Sequence, residues 1–291
     1  METLEKFLGV HASPFLKWAG GKTQLLRTLN RYLPSEFDTY FEPFLGGGAL
    51  FFYLFSSGRI EKAVISDLNR DLIECYLSVR DDFDSLLDHL RDLQNYATDE
   101  HYYYEIARRR FNEIKSNRAE KERVEKSALL LYLNKTCFNG LYRVNKKGEF
   151  NVPWGDYKNP RIYDEKNLAA VSTVLNQPGI RIFCSEYKTV EREAKEHDFV
   201  YFDPPYQPLS KTSHFTSYNS ESFDIKNQQE LAQLFHNLAT RRCYLMLSNS
   251  PGVRSLYEGQ NYRIETVKAG RAINSVGSKR SPVDELLVMN Y

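Results

Sequence analysis

Residues 197–209 read HDFVYFDPPYQPL. The apolar run Phe199-Val200-Tyr201-Phe202 predicts a buried strand, and that strand stops at a carboxylate, Asp203. Pro204 and Pro205 come next. They fix φ and offer no N–H, so their carbonyls remain pure acceptors. Tyr206 adds a flat aromatic face. Open α/β sheets bind ligands at the carboxyl ends of their strands, which puts Asp203 in the crevice. Two acceptors beside an aromatic plate suit an exocyclic amine on a planar ring. The amine donates to the Asp203 carboxylate and the Pro204 carbonyl while the ring stacks on Tyr206. A plain strand end with a Pro-Pro turn requires neither the acid nor the tyrosine.

An earlier segment has the pattern of a ligand-binding α/β unit. DTYFEPFL (38–45) reads as a short strand running into Gly46-Gly47-Gly48, followed by a helix over 49–58 that ends at Gly58. KAVISD (62–67) predicts a second strand closing on Asp67, with a helix starting near Asn69. The turn fails the GxGxxG pattern because Phe51 holds its third position. It does give Phe44-x-Gly46-x-Gly48, where backbone can approach a ligand, and Asp67 can bind vicinal ribose hydroxyls. By itself a structural glycine turn explains these residues equally well. Gly20-Gly21-Lys22-Thr23 imitates a phosphate-binding loop but has Leu16 where that pattern needs glycine.

Residues 72–133 read as helical, most clearly over 118–135, and GLYRVNKKGEFNV (140–152) changes to strand-like alternation. The latter is a hairpin signature, with Gly148 suited to positive φ. Strand patterns resume at 180–185, 198–203 and 243–249, with helical material such as 226–239 between them. The expected architecture is a parallel α/β sheet split by a mostly helical insertion carrying a hairpin. Residues 1–74 and 176–291 form the sheet domain, and residues 75–175 form the insertion.

Composition narrows the class. The longest apolar stretch, Ala128 to Leu133, is too short to cross a bilayer, and METLEKFLGV lacks the basic lead of a secretory signal. Cys75, Cys137, Cys184 and Cys243 lie far apart without a CxxC pair, so reduced, mostly buried thiols in a cytoplasmic protein are expected. Net charge is only +1, but its distribution is uneven. Between Asn134 and Lys158 five bases face two acids, and 268–280 holds four bases and no acid. Such local patches fit a DNA-binding face, and equally an ordinary solvated surface.

These residues carry a resemblance. DPPY preceded by FxGxG resembles the DNA amino-methyltransferases, and the order FxGxG, long insertion, DPPY resembles their alpha group. FLKWAGGK (15–22), FEPFLGGGALF (41–51), NGLYRVNKKGEFNVPWGDYKNP (139–160) and DPPYQPLSKTSHFTSY (203–218) are similar to the Dam-type, D12-class DNA adenine N6-methyltransferases. The likeness spans residues 15 to about 290. It implies a Rossmann-like sheet, S-adenosylmethionine as cofactor, and double-stranded DNA as partner, with GATC as the site. A monomer or weak dimer is expected, and whether a restriction endonuclease accompanies it stays open.

Carried over block by block, the resemblance assigns Trp18, Lys22, Phe44, Gly46, Gly48, Asp67, Tyr187 and Asp203 to the cofactor, with Lys22 suited to the methionine carboxylate. Glu186 stands where some relatives have Asp, which leaves one adenine contact undetermined. Catalysis falls to Asp203, Pro204, Pro205 and Tyr206. Lys17, Phe138, Asn139, Leu141, Arg143, Pro153 and Tyr157 fall at the DNA, with Lys17 beside the first guanine and Phe138 as an inserted ring. Arg143 on a hairpin can fork onto guanine O6 and N7. Lys279 and Arg280 suit phosphate contacts, which position a protein without reading bases.

The chemistry explains the acceptors. The N6 lone pair of adenine is delocalised into the ring, so acceptors that pull on its hydrogens favour attack and stabilise the developing positive charge. The amine is otherwise engaged in a base pair, so the target must leave the helix. Cytosine-N4 methylation usually has Ser, and protein glutamine methylation usually Asn, where Asp203 stands. A catalytically inactive DNA-binding module predicts damage in 203–206, and none is visible. A dehydrogenase wants the third glycine of the turn.

Overall fold

The computed structural model describes residues 11–117, 120–205, 223–269 and 283–291. A seven-stranded sheet has the order β3-β2-β1-β4-β5-β7-β6. Its strands are β1 (Tyr40–Glu42), β2 (Ala63–Asp67), β3 (Ile180–Cys184), β4 (Phe199–Phe202), β5 (Tyr244–Asn249), β6 (Arg263–Ala269) and β7 (Val283–Met289). The first five run parallel, as expected. β7 is inserted antiparallel between β5 and β6, an edge that the sequence pattern did not announce. Strand order reverses between β1 and β4, and the crevice outside their carboxyl ends is where such sheets bind ligands.

β1 and β4 are buried throughout, as a sheet covered on both faces requires, and alternate residues enter two separate cores. Phe199 and Tyr201 of β4 join Tyr40, Ile65, Met246 and Leu287 in one core. Val200 and Phe202 join Phe41, Val64, Leu245 and Leu286 in the other, under the helix Ile225–Thr240.

On the first face lies α1 (Ala49–Ser56), which buries Leu50, Phe51, Phe52, Leu54 and Phe55 around most of its circumference, as a core helix should. The next segment begins with α2 (Arg70–Asp81), whose start is set by Asn69: its side chain accepts from Leu72 N–H at 3.1 Å. Then come α3 (Phe83–Gln94), a π-helical stretch Tyr102–Arg108, α4 (Arg109–Asn117), α5 (Arg123–Thr136) and α6 (Glu165–Leu175). α5 starts later than the sequence suggested, after a 3-10 turn at Glu120–Glu122. Its buried stretch Ala128–Leu133 packs in the same core as Tyr40 and Ile65. The helices between β2 and β3 therefore share a core with the sheet. The helix Ile225–Thr240 is α7, opened by a capping box between Asp224 and Asn227.

The expected hairpin forms only in part. Its turn is present: Gly148 has φ +79 and donates to the Asn145 carbonyl at 2.9 Å. The flanks make isolated bridges, Val144 with Phe150 and Cys137 with Trp154, rather than a ladder. Side chains take over the strand's partners. Asn112 accepts from Phe150 N–H at 2.7 Å and donates to its carbonyl at 3.1 Å. Arg143 donates to the Asn151 carbonyl at 3.0 Å.

Cys75, Cys137 and Cys243 are buried, Cys184 is exposed, and all four are free thiols. Among the described residues no helix is long and apolar enough to cross a membrane.

Candidate active site

β4 ends where the prolines remove the donors that a further ladder would need. Pro204 is buried and Pro205 exposed. The Pro205 carbonyl accepts from Gln228 Nε2 at 3.4 Å, and Gln228 Oε1 accepts from Asn249 Nδ2 at 2.9 Å. α7 and the tip of β5 thus hold the segment after Asp203. Tyr206, Lys279 and Arg280 lie outside the described residues.

Asp203 meets the N-terminal segment here. Lys22, 5% exposed, donates through Nζ to Asp203 Oδ1 at 2.6 Å and to the Gly20 carbonyl at 2.9 Å. Lys22 is carried across the sheet because Phe15, Leu16 and Leu25 are buried around it and a turn closes from Gly21 N–H to the Trp18 carbonyl. Two further acids were not picked out from the sequence. Glu42, at the tip of β1, is buried and accepts from the Tyr40 hydroxyl at 2.8 Å. Glu285 on β7 is also buried, with Oε1 3.7 Å from Lys22 Nζ. Burial pushes the Asp203 carboxyl up to about 6, with Lys22 opposing and Glu285 adding to the rise. Burial pushes Glu42 to about 8, the Tyr40 hydrogen bond opposing and Asp203 adding. Both carboxyls are thus harder to ionise than an ordinary acid, Glu42 more so than Asp203.

The glycine turn lies next to this cluster. Gly46 and Gly48 have φ of +49 and +68, where a side chain is strained, and a Cβ on Gly46 would lie 2.8 Å from Trp18 Cδ1. Gly46 N–H donates to Asp67 Oδ2 at 3.0 Å, and Asn69 N–H donates to Oδ1 at 2.9 Å. Asp67 ties β2 to the turn, and burial raises its carboxyl from the ordinary value. Phe44 stacks on Tyr187 with centroids 5.1 Å apart. The buried Tyr187 hydroxyl has no hydrogen-bond partner among the described residues. Glu186, exposed, caps the 3-10 turn that carries Tyr187.

The residues expected at DNA gather beside Trp18. Phe138 is 42% exposed. Its N–H donates to the Pro153 carbonyl at 2.8 Å. Asn139, at φ +57, donates its N–H to the Tyr157 hydroxyl at 3.1 Å, and exposed Lys17 lies over the Tyr157 ring at 5.1 Å. Leu141 is half-buried against the core. Arg143 Nε donates to Asn151 Oδ1 at 2.8 Å, so its guanidinium is braced by its own loop.

Two side chains that the sequence reading missed bind this group to the segment beside the glycine turn. Asn134, fully buried, accepts from Lys17 N–H at 2.8 Å and donates to the carbonyls of Lys17 at 2.8 Å and Gly140 at 3.0 Å. Tyr142 stacks on Trp18, and its hydroxyl donates to Asp71 at 2.6 Å while accepting from Lys115 at 2.7 Å. The only signal for Tyr142 was its position between two residues assigned to DNA. Alternation turns it inward when they face out.

Comparison with known proteins accords with this geometry. The family model for the D12 class N6 adenine-specific DNA methyltransferases matches residues 18–273. A type II methyltransferase of Methanocaldococcus jannaschii is 47% identical over 97% of this chain and 100% of its own length. A second type II methyltransferase, from Lactococcus lactis subsp. cremoris, is 40% identical over 97% of this chain and 96% of its own. The DNA adenine methylase of Escherichia coli K12 is 34% identical, covering 94% of each. With the matched model spanning both the Lys22–Asp203 pair and the loop of Phe138 to Arg143, the chain belongs to the D12 class N6 adenine-specific DNA methyltransferases.

Proposed function

We propose that this DNA adenine methyltransferase acts on the adenine of GATC in duplex DNA, turning the base out of the helix and using S-adenosylmethionine as donor. The observation that carries the reading is the half-buried Asp203 at the carboxyl end of β4, its carboxyl raised toward 6 and held 2.6 Å from Lys22 beside the glycine turn.

The donor set fits S-adenosylmethionine. Lys22 offers an ammonium to the methionine carboxylate, Asp67 a carboxylate to ribose hydroxyls, and Phe44 with Tyr187 an aromatic wall whose buried hydroxyl lacks a partner. Gly46 keeps clear the space that a Cβ would close against Trp18. When bound, the sulfonium supplies an electrophilic methyl group. Asp203 and the Pro204 carbonyl accept from the target amine, and Asp203 takes up the proton that N6 releases. Tyr206 is assigned to stacking on the base.

Residues 75–175 are proposed as the recognition region, with Arg143 reading a guanine, Phe138 entering the duplex and Lys17, Asn139, Leu141, Pro153 and Tyr157 completing the contact. The exposure of Phe138 and the inward brace of Asn151 on Arg143 support this arrangement. The names of the two type II relatives suggest a companion restriction endonuclease, and the resemblance of residues 139–160 to the Dam-type enzymes suggests GATC.

The test is single-molecule sequencing of plasmid DNA from cells expressing the protein. N6-methyladenine confined to GATC is expected, together with loss of transfer and retained cofactor binding in Asp203→Ala. Modification at another sequence overturns the site, and wild-type transfer by the variant overturns the role of Asp203.

A further inference from the structure

Glu285 has no part in the family resemblance or in the chemistry assigned so far, yet it points into the same pocket. It lies on the face of β7 that also presents Leu287 and Met289 to the first core, and it is 3% exposed. Its Oε1 is buried and accepts no hydrogen bond among the described residues. A buried carboxylate oxygen without a donor is costly and rare enough in native proteins to need an explanation. Among the described residues the cation paired with it is Lys22, whose Nζ is 3.7 Å away, beyond hydrogen-bond length. That same Nζ is bonded to Asp203 at 2.6 Å.

We propose that Glu285 is a positioning residue that shares Lys22 with Asp203 and takes it over when the target amine docks on Asp203. This rests on the reading of Asp203 as the amine acceptor. An ammonium held tightly against Asp203 neutralises the charge that should stabilise the positive nitrogen forming at N6. It also occupies Oδ1, one of the two carboxylate oxygens on which the amine could dock. Moving Nζ about 1 Å toward Glu285 makes a charge-assisted hydrogen bond of ordinary length. The shift satisfies the orphaned oxygen and frees Asp203 Oδ1. Lys22 stays paired throughout, which a buried ammonium requires. Glu285 thus touches neither base nor donor in this scheme and acts through Lys22.

Among the described residues the charged and titratable groups facing Asp203 are Lys22, Glu285, and Glu42 with its partner Tyr40. Glu285 raises the Asp203 carboxyl while Lys22 lowers it. Converting Glu285 to the isosteric amide should therefore leave Lys22 wholly to Asp203 and lower the titration midpoint of that carboxyl.

The experiment compares wild type, Glu285→Gln and Glu285→Asp. Carbon-13 NMR of the protein without ligands follows the Asp203 carboxyl, which is expected to titrate at lower pH in Glu285→Gln than in wild type. Single-turnover methyl transfer to a GATC duplex should be at least about tenfold slower in Glu285→Gln, with S-adenosylmethionine affinity within about threefold of wild type. The acid limb of its pH profile should be displaced downward, and Glu285→Asp should recover part of the rate. An unmoved Asp203 midpoint, or wild-type transfer by Glu285→Gln, overturns the proposal. If the wild type itself transfers nothing to GATC, the reading of the site falls, whereas the NMR titration still judges the sharing of Lys22.

Discussion

Trp18 lies flat against Tyr142, with ring centroids 5.3 Å apart and 27° between planes. Trp18 belongs to the N-terminal segment that borders the glycine turn, and Tyr142 to the loop between Leu141 and Arg143. The second ring is anchored from behind, where Asp71 accepts from the Tyr142 hydroxyl and from Lys115 and Lys126. A residue in the loop proposed to read DNA therefore sets the orientation of a residue beside the glycine turn.

Replacing Tyr142 by leucine should weaken S-adenosylmethionine binding although the residue contacts no part of the donor. Aromatic pairs contribute about 0.5–1.5 kcal/mol beyond area burial, which corresponds to roughly 2- to 12-fold in affinity. Tyr142→Phe keeps the ring and should bind the donor normally, but it leaves Asp71 with one donor fewer and should melt several degrees lower. Calorimetric titration and thermal melts separate the two effects. Unchanged affinity in the leucine variant would refute the coupling.

Asn134→Ala should cost about 2–4 kcal/mol, because one amide N–H and two carbonyls lose their buried partner together. Duplex affinity should fall as well, since Lys17 and the loop 138–140 are no longer held to each other. Urea denaturation and fluorescence anisotropy would read the two losses. A stable variant that binds DNA as the wild type does argues against the clamp.

Glu42 predicts a pH-dependent stability. Its carboxyl moves from 4.5 to about 8 on folding. Below pH 4.5 the proton is bound in both states, so its contribution is fully present. Between those values only the folded chain keeps the proton, and each pH unit upward removes roughly 1 kcal/mol from this group until pH 8. Denaturation of Glu42→Gln across pH 5–9 should show a shallower decline than wild type. Parallel curves would show that Glu42 is ionised in the fold.

Lys135 follows Asn134 near the exposed Lys17, and burial with Lys17's charge lowers its ammonium to about 8. A DNA phosphate nearby would restore the proton, so duplex binding should take up a proton near that pH. Affinity should drop as pH rises from 7 to 9, and Lys135→Met should remove much of the drop. Equal pH dependence in both proteins would exclude Lys135 from the DNA face.

Local chemistry was legible in the sequence and long-range pairing was not. The strand ending at Asp203, the glycine turn at 46–48, and the helix start near Asn69 each express a rule that operates within a few residues. β6 and β7 were hidden because RIETVKA carries charge along an edge strand, and Asp284-Glu285 reads as a solvated acidic pair. Only the register with β6 turns Glu285 inward. Lys22 was legible as a residue but not as the partner of Asp203, 181 positions away. The same holds for Tyr142: alternation indicates which way it faces, not that Trp18 waits there.

Because the helices between β2 and β3 bury Leu86, Phe111 and Leu130 in the same core as Tyr40 and Ile65, the proposed recognition region is not a detachable module. Transplanting it between relatives would expose a raw apolar surface on both donor and recipient. New sequence preferences are more accessible through changes at the loop tip, residues 144–149, whose side chains are mostly outside that shared interior.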